Sequence, residues 1–177
     1  MNKFSVTLIS IALIYWLVTL IVPPMIDDSF NAVLENGPYS VSAEAQTIYD
    51  NLDFVGDLHC DALLWGRDLS KRNDRGQVDI PRMQEGNVVM QAFTLVTKSP
   101  RGQNMLENTG ETDNLTSLFM VQGRPFRSWF SLYERAIVQC EALHQYADDS
   151  DGVFRVVHNK AEFSELLEAR KKDPLIV

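Results

Sequence analysis

Cysteine is scarce in this sequence: Cys60 and Cys140 are the only two, far apart and in no CxxC pair. Outside the cytoplasm a disulfide between them would be permitted, but their spacing does not imply one; two free, buried thiols are the expectation. Positive charge is also in short supply, with 16 Lys and Arg against 24 Asp and Glu and a formal net charge of −8. No basic stripe is available to track a phosphate backbone, which argues against a nucleic-acid partner. The acidic excess reads as a solvated surface.

Charge of either sign is missing altogether from Phe4 to Val22, a run of nineteen residues reading FSVTLISIALIYWLVTLIV. As a helix rising about 1.5 Å per residue it would measure roughly 28 Å, close to the hydrocarbon thickness of a bilayer. The run is longer than the apolar part of a secretory signal, usually about 7–15 residues. It ends at Val22-Pro23-Pro24-Met25 with no Ala-x-Ala cleavage site. An uncleaved anchor over residues 4–22 is therefore expected. Lys3 precedes the run while Asp27, Asp28 and Glu35 lie after it, so residues 1–3 should face the cytoplasm and the rest the outside.

Beyond the anchor the chain reads as a connector and then one domain. Residues 23–41 hold the turn formers Pro23-Pro24, Asp27-Asp28 and Asn36-Gly37-Pro38. Ser42 is a good N-cap for a helix through Ala45, Ile48 and Leu52. Residues 54–59, FVGDLH, read as a strand that passes abruptly into polar residues at its carboxyl end. In DIPRMQEG, Asp79 can cap a short helix with Pro81 in its first turn and Gly86 at its end. Residues 87–96, NVVMQAFTLV, form the clearest strand, expected to be covered on both faces. Residues 98–124 read as a long polar loop. Pro125 then opens a helix to about Ala147 whose stripe is Phe126, Trp129, Tyr133, Ile137, Cys140, His144 and Ala147. After an extended piece from Val153 to Val157, Asn159 with Glu162 heads another helix, and Pro174 to Val177 begins what looks like a third strand.

Strands alternating with helices, with near-continuous apolar strands, predict parallel βα units. The fold class is therefore α/β, the amino-terminal portion of a (β/α)8 TIM-like barrel behind one transmembrane helix. A complete barrel of this kind takes about 250 residues. Residues 42–177 are thus expected to be an incomplete barrel domain.

His59 and Asp61 are the candidate chemistry. Positions i and i+2 of a strand project on the same side, so imidazole and carboxylate would aim at one spot at the strand's carboxyl end. That pair suits a borderline divalent ion such as zinc, and carboxyl strand ends are where barrel enzymes hold their catalytic groups. HxD alone is short enough to arise by chance, and the bland alternative is a turn aspartate beside a hydrogen-bonded core histidine. Cys60 alternates to the other side and is read as packing. His144 lies on the apolar stripe and is read as core-edge, His158 as solvent-facing, and Arg67 with Asp68 as a surface ion pair. Trp65 is read as core.

The surroundings of the pair carry a resemblance. Residues 57–65, DLHCDALLW, are succeeded by 78–83, VDIPRM, and by 85–93, EGNVVMQAF. These blocks, in this order, resemble the renal (membrane) dipeptidase family, zinc dipeptidases of the amidohydrolase-like barrel class. The family pattern has Asp-x-His-x-Asp at the first strand, a V-D-I/V-P-R-L-x-x-G block, and a second strand of the G-x-V-x-x-Q-x-F type; the match covers roughly residues 50–177. Leu58 and Cys60 depart from it, the family often having Gly before the histidine and a small residue after it. The resemblance implies that His59 and Asp61 are first-strand ligands of a two-zinc site that hydrolyses dipeptide amide bonds with a metal-bridged hydroxide. The other ligands, a bridging Glu and two His, belong to later strands, so these 177 residues alone are not expected to catalyse. It leaves room for a homodimer. Two other readings stand beside it: a related amidohydrolase with another amide or lactam substrate, and a non-catalytic anchored module whose 98–124 loop is an interaction surface.

Overall fold

The computed structural model describes residues 2–34, 37, 39–174 and 177. They form a mixed helix and sheet structure in which one apolar helix occupies the amino terminus. The chain divides into two compact units, Met1–Asn31 with Leu95–Val138, and Ala32–Thr94 with Gln139–Val177.

Helix α1 (Lys3–Asn31) opens the first unit. It is long and apolar enough to cross a membrane, and none of its most apolar 18-residue window is buried in the protein. The helix does not stop at Pro23-Pro24 as the turn signals suggest; both prolines lie inside it. Each removes an N–H, leaving the Thr19 and Leu20 carbonyls without their usual intrahelical donors. Apolar membrane-type helices accommodate such prolines far better than soluble ones.

The remainder of this unit is organised by a buried arginine. Arg135 is 1% exposed and uses both of its terminal nitrogens and Nε. Nε donates to the Ser128 carbonyl at 3.1 Å, and Nη1 to the Thr97 carbonyl at 2.7 Å and Asp113 Oδ2 at 2.6 Å. Nη2 donates to Thr116 Oγ1 at 2.7 Å and the Trp129 carbonyl at 2.6 Å. The guanidinium also lies 5.4 Å from the ring centre of Phe119, itself fully buried. Asp113 in turn accepts from the Leu115 N–H at 2.9 Å, which starts helix α4 (Leu115–Val121) inside the stretch expected to be loop.

The long helix expected from Pro125 is interrupted. A single 3-10 turn covers Phe126–Ser128, and helix α5 (Leu132–Asp148) begins only after Ser131, whose Oγ accepts from the Glu134 N–H at 3.2 Å. The buried positions are Ser128, Arg135, Val138 and Gln139, whereas Phe126 and Tyr133 are 72% and 71% exposed. The expected apolar stripe is therefore not the buried one. A polar network selects the inward face here, and a count of apolar residues does not register it.

In the second unit, Ser42 caps helix α2 (Ala43–Asp50) by accepting from the Ala45 N–H at 3.1 Å. Strands β1 (Val55–Cys60) and β2 (Val88–Phe93) pair in parallel, with Asp57 opposite Gln91 and Cys60 opposite Phe93. Helix α3 (Ile80–Glu85) makes the crossover. Asp79, completely buried, caps α3 through the Arg82 N–H at 2.9 Å and grips the Arg82 side chain at 2.6 Å. The VDIPRM block thus works as a clamp on its own loop. In that loop Gly76, at φ +68, lies where a Cβ would strike the Arg67 guanidinium at 2.5 Å. Gly86 caps α3 with φ −88, and it is Asn87 that takes the left-handed conformation at φ 48.

Ile80, Met83, Phe154 and Val177 make one buried cluster, Ala62, Leu63 and Leu69 another, and Val89 with Leu166 a third. Each large apolar side chain among them contributes about 1.5–3 kcal/mol by leaving water. Leu166 comes from helix α6 (Lys160–Arg170), capped by Asn159 through the Glu162 N–H at 3.0 Å. Strand β2 is not covered on both faces: Val89 is buried but Ala92 is exposed. The sheet has two strands among the described residues. Of the expected third strand, Leu175 and Ile176 lie outside the described residues, as do Asn36 and Pro38 of the connector. Val177 is buried, donates to the Val153 carbonyl at 2.8 Å and accepts from the Arg155 N–H at 3.0 Å.

Burial works against the charge of Asp113, but bonds from Arg135, the Leu115 N–H, Thr116 and the Ser99 N–H outweigh it and hold the carboxyl below its ordinary value. A depressed folded-state pKa gives stability that is present above the unfolded value, about 3.9, and is lost as pH falls through the folded one. Arg135→Met should destabilise the protein by about 3–5 kcal/mol and flatten that acid loss. Urea unfolding of both proteins from neutral to acid pH measures this; an unchanged midpoint would remove Arg135 from its organising role.

Candidate metal centre

His59 is the last but one residue of β1, and Asp61 the first beyond it. Asp61 has already left extended geometry, with φ −90 and ψ 18, and heads the 3-10 turn Ala62–Leu64. That turn buries all three of its residues, which pins Asp61 at the strand end. The two side chains converge, although Asp61 lies past the strand and the ladder is irregular between Asp57 and Cys60. His59 Nε2 lies 3.5 Å from Asp61 Oδ2, with the side chains 72% and 45% exposed.

This separation can be tested against a metal. Zinc bonds of about 2.0–2.2 Å to imidazole nitrogen and carboxylate oxygen, at a tetrahedral angle, place two ligand atoms about 3.4 Å apart. The pair fits one edge of such a polyhedron. Among the described residues no third His, Cys, Asp or Glu joins it in a metal-holding group. His144 and His158 stack on each other at 5.9 Å, and His158 Nδ1 pairs with Glu162 Oε2 at 3.1 Å. His158 is solvent-facing as expected, and His144 is exposed rather than core-edge.

Three neighbours shape the pair. Thr94, directly after β2, donates its hydroxyl to Asp61 Oδ1, leaving Oδ2 turned toward His59. Asp57 Oδ1 accepts from the His59 N–H at 3.2 Å. Gln91, opposite Asp57, donates to the Asp57 carbonyl at 3.4 Å, while its own Oε1 is buried with no hydrogen-bond partner among the described residues. Sequence reasoning passes over Thr94. Its signal is a hydroxyl at the carboxyl end of the second apolar strand, level with a candidate ligand at the end of the first. A cavity of about 240 Å³ lies against β2, lined by Val89, Phe93, Phe154 and Leu166 among others; it includes neither His59 nor Asp61. The pair sits at an open surface.

The flanking residues are structural. Cys60 and Cys140 are free and half-buried. Cys60 packs against the Ala62, Leu63 and Leu69 cluster, as its place on the opposite side of the strand requires. Trp65 is half-buried. Asp68 pairs with Lys71 at 2.6 Å, and the hydrogen bonds from Lys71 and Ser70 hold its carboxyl below its ordinary value. Arg67 offers its carbonyl to the Tyr146 hydroxyl at 2.8 Å.

Burial pushes the Cys60 thiol above its ordinary value, reinforced by Asp57 and Asp61 and opposed by the Ala62 backbone and Arg67. Fewer thiolates at a given pH mean slower alkylation. At pH 8, iodoacetamide should modify Cys60 at least about tenfold more slowly in the native than in the urea-unfolded protein. Peptide mass spectrometry reads this, and equal rates would contradict the packed position.

No family model, no curated protein and no solved structure matches the chain.

Proposed function

We propose that this chain carries the first-strand half of the metal site of a membrane-anchored zinc dipeptidase. The observation behind it is the convergence of His59 and Asp61, 3.5 Å apart at the carboxyl end of a strand in a parallel pair. The crossover through α3, and the position of the pair at the carboxyl strand ends, favour the opening units of a (β/α)8 barrel. The family resemblance of the 57–65, 78–83 and 85–93 blocks points the same way.

Two zinc ions, when bound, would supply a hydroxide at neutral pH and polarise the amide carbonyl. His59 offers Nε2 as a ligand. Asp61 offers Oδ2, with Oδ1 committed to Thr94, so Thr94 fixes the carboxylate's orientation. Two donors do not complete a dinuclear site; in the family pattern a bridging Glu and two His complete it from later strands. Helix α1 is read as a single-pass anchor, with Lys3 at its cytoplasmic end and Asp27 and Asp28 toward the outside. The substrate class is dipeptides or closely related amides.

Zinc analysis and dipeptide hydrolysis in detergent, by a protein that joins these residues to strands bearing the bridging Glu and two His, test the reading. About two zinc ions per chain and measurable turnover are expected. No stoichiometric zinc together with no hydrolysis would retire it in favour of a non-catalytic anchored module. His59→Ala should lower turnover by about a thousandfold or more, equivalent to several kcal/mol, with an unchanged circular dichroism spectrum. Wild-type turnover in that variant would rule out the ligand assignment.

Thr94→Val should act more gently. Removing a group that orients a ligand typically weakens metal affinity by about ten- to a hundredfold. A competition titration with a zinc-binding dye measures it, and wild-type affinity would show that Thr94 orients nothing.

A further inference from the structure

Tyr15 and Thr19 fasten helix α1 to the later part of its own unit. The Tyr15 hydroxyl donates to the Met120 carbonyl at 3.0 Å, and its ring centre lies 6.5 Å from that of Trp129. One turn further on, a Cβ built on Gly123 would meet the Thr19 methyl at 3.5 Å and the Thr19 Cβ at 3.9 Å. Val18, Thr19 and Val22 are half-buried, whereas Leu13, Ile14, Leu17 and Leu20 are exposed. The attachment uses the carboxyl half of the uncharged run and leaves most of its apolar surface uncovered.

A bilayer spanned by residues 4–22 is incompatible with that attachment. Tyr15 comes eleven residues after Phe4 and seven before Val22, so it would lie about 17 Å from one end of the run and about 10 Å from the other. Thr19 also falls inside the run, and whatever touches the two must share their depth. What touches them leads into irregular backbone, residues 122–125, between α4 and the 3-10 turn Phe126–Ser128, with Gly123 exposed at φ +64. Lipid-exposed backbone of this kind does not occur at hydrocarbon depth, because its N–H and C=O groups find no partners there. Charge would be drawn in as well. Arg124 follows Gly123 directly, and Arg135 donates to the Trp129 carbonyl at 2.6 Å. Arginines are costly in hydrocarbon.

The two arrangements differ in what they cover. Docking offers one hydrogen bond, one ring pair and one methyl contact, and it buries none of the most apolar window of α1. Acyl chains would take that whole surface out of water. We propose that Tyr15 and Thr19 latch α1 onto Met120, Gly123 and Trp129 in the membrane-free chain, and that the latch opens when α1 crosses a phospholipid bilayer. Opening frees the Met120 carbonyl and bares the side of the Trp129 ring that Tyr15 covers. The proposal rests on the reading of α1 as an anchor.

The 3.9 Å separation suits a disulfide, whose Cβ atoms lie about 3.5–4.5 Å apart. The test uses the full chain carrying Thr19→Cys and Gly123→Cys with Cys60→Ser and Cys140→Ser, made by cell-free synthesis without lipid. Oxidation should cross-link most of it. Trp16, kept as the sole tryptophan by Trp65→Phe and Trp129→Phe, reports insertion into phosphatidylcholine vesicles brominated on their acyl chains. The reduced chain should lose about half of its emission or more, since a spanning α1 holds Trp16 among acyl chains. The oxidised chain should keep its emission until a reductant is added. Equal quenching of the oxidised and reduced chains would overturn the latch and leave α1 an anchor. Trp16 unquenched in both would overturn the anchor and the latch together. Gly123 has a left-handed φ that cysteine adopts reluctantly, so Tyr15→Ala supplies a second probe, with Trp129 the sole tryptophan. It should raise acrylamide quenching of Trp129 in the lipid-free chain and leave that of the inserted chain unchanged. No disulfide, together with unchanged quenching in the lipid-free chain, would show that no latch forms.

Discussion

Two strands running in the same direction bring two different loops to one end of a sheet, and the candidate site depends on that pairing. The Thr94 N–H bonds the Cys60 carbonyl at 2.9 Å just past the last residue of β2. With the backbones locked there, the Thr94 hydroxyl falls beside the Asp61 carboxylate. An antiparallel partner would have brought the other end of β2, near Asn87, to that position. A slip of one residue between the strands would have moved His59 and Asp61 together out of register with Thr94.

Asp113, half-buried, and Asp79, completely buried, are each given two tasks. Asp113 receives the first N–H of α4 and also holds the Arg135 side chain; Asp79 caps α3 and also holds Arg82. A helix start and a loop closure are thereby tied to one side chain, so neither can loosen without the other. Such pairs add little net stability over well-packed apolar residues, but removing one partner leaves a buried charge exposed to its full desolvation cost.

The legible part of the sequence is local. Ser42, Asp79 and Asn159 are legible as caps because a cap needs only its own side chain and an N–H two or three residues on. Strands β1 and β2 are legible from their apolar runs, and the His59–Asp61 convergence from the strand period. The misses come where distant partners decide. Helix α4 is set by Asp113 and Arg135 rather than by its own periodicity, and α5 turns Arg135 and Gln139 inward where an apolar count selects Phe126 and Tyr133. Asn87 takes the left-handed position that glycine chemistry assigns to Gly86. Thr94 belongs to the site only through the register of another strand, which spacing along one strand does not reveal.

The hydrogen bond from Thr94 to Asp61 has a bearing on which ions the end of this sheet can discriminate. A carboxylate with one oxygen already hydrogen-bonded favours end-on attachment through the other, so on the proposed metal reading Asp61 would offer Oδ2 first. Calcium, which takes six to eight oxygens and often both from one carboxylate, gains little from such a donor. A small cation that wants few, short bonds and accepts an imidazole loses nothing. On the proposed metal reading, one threonine hydroxyl, held by the β2 backbone, would bias the coordination number.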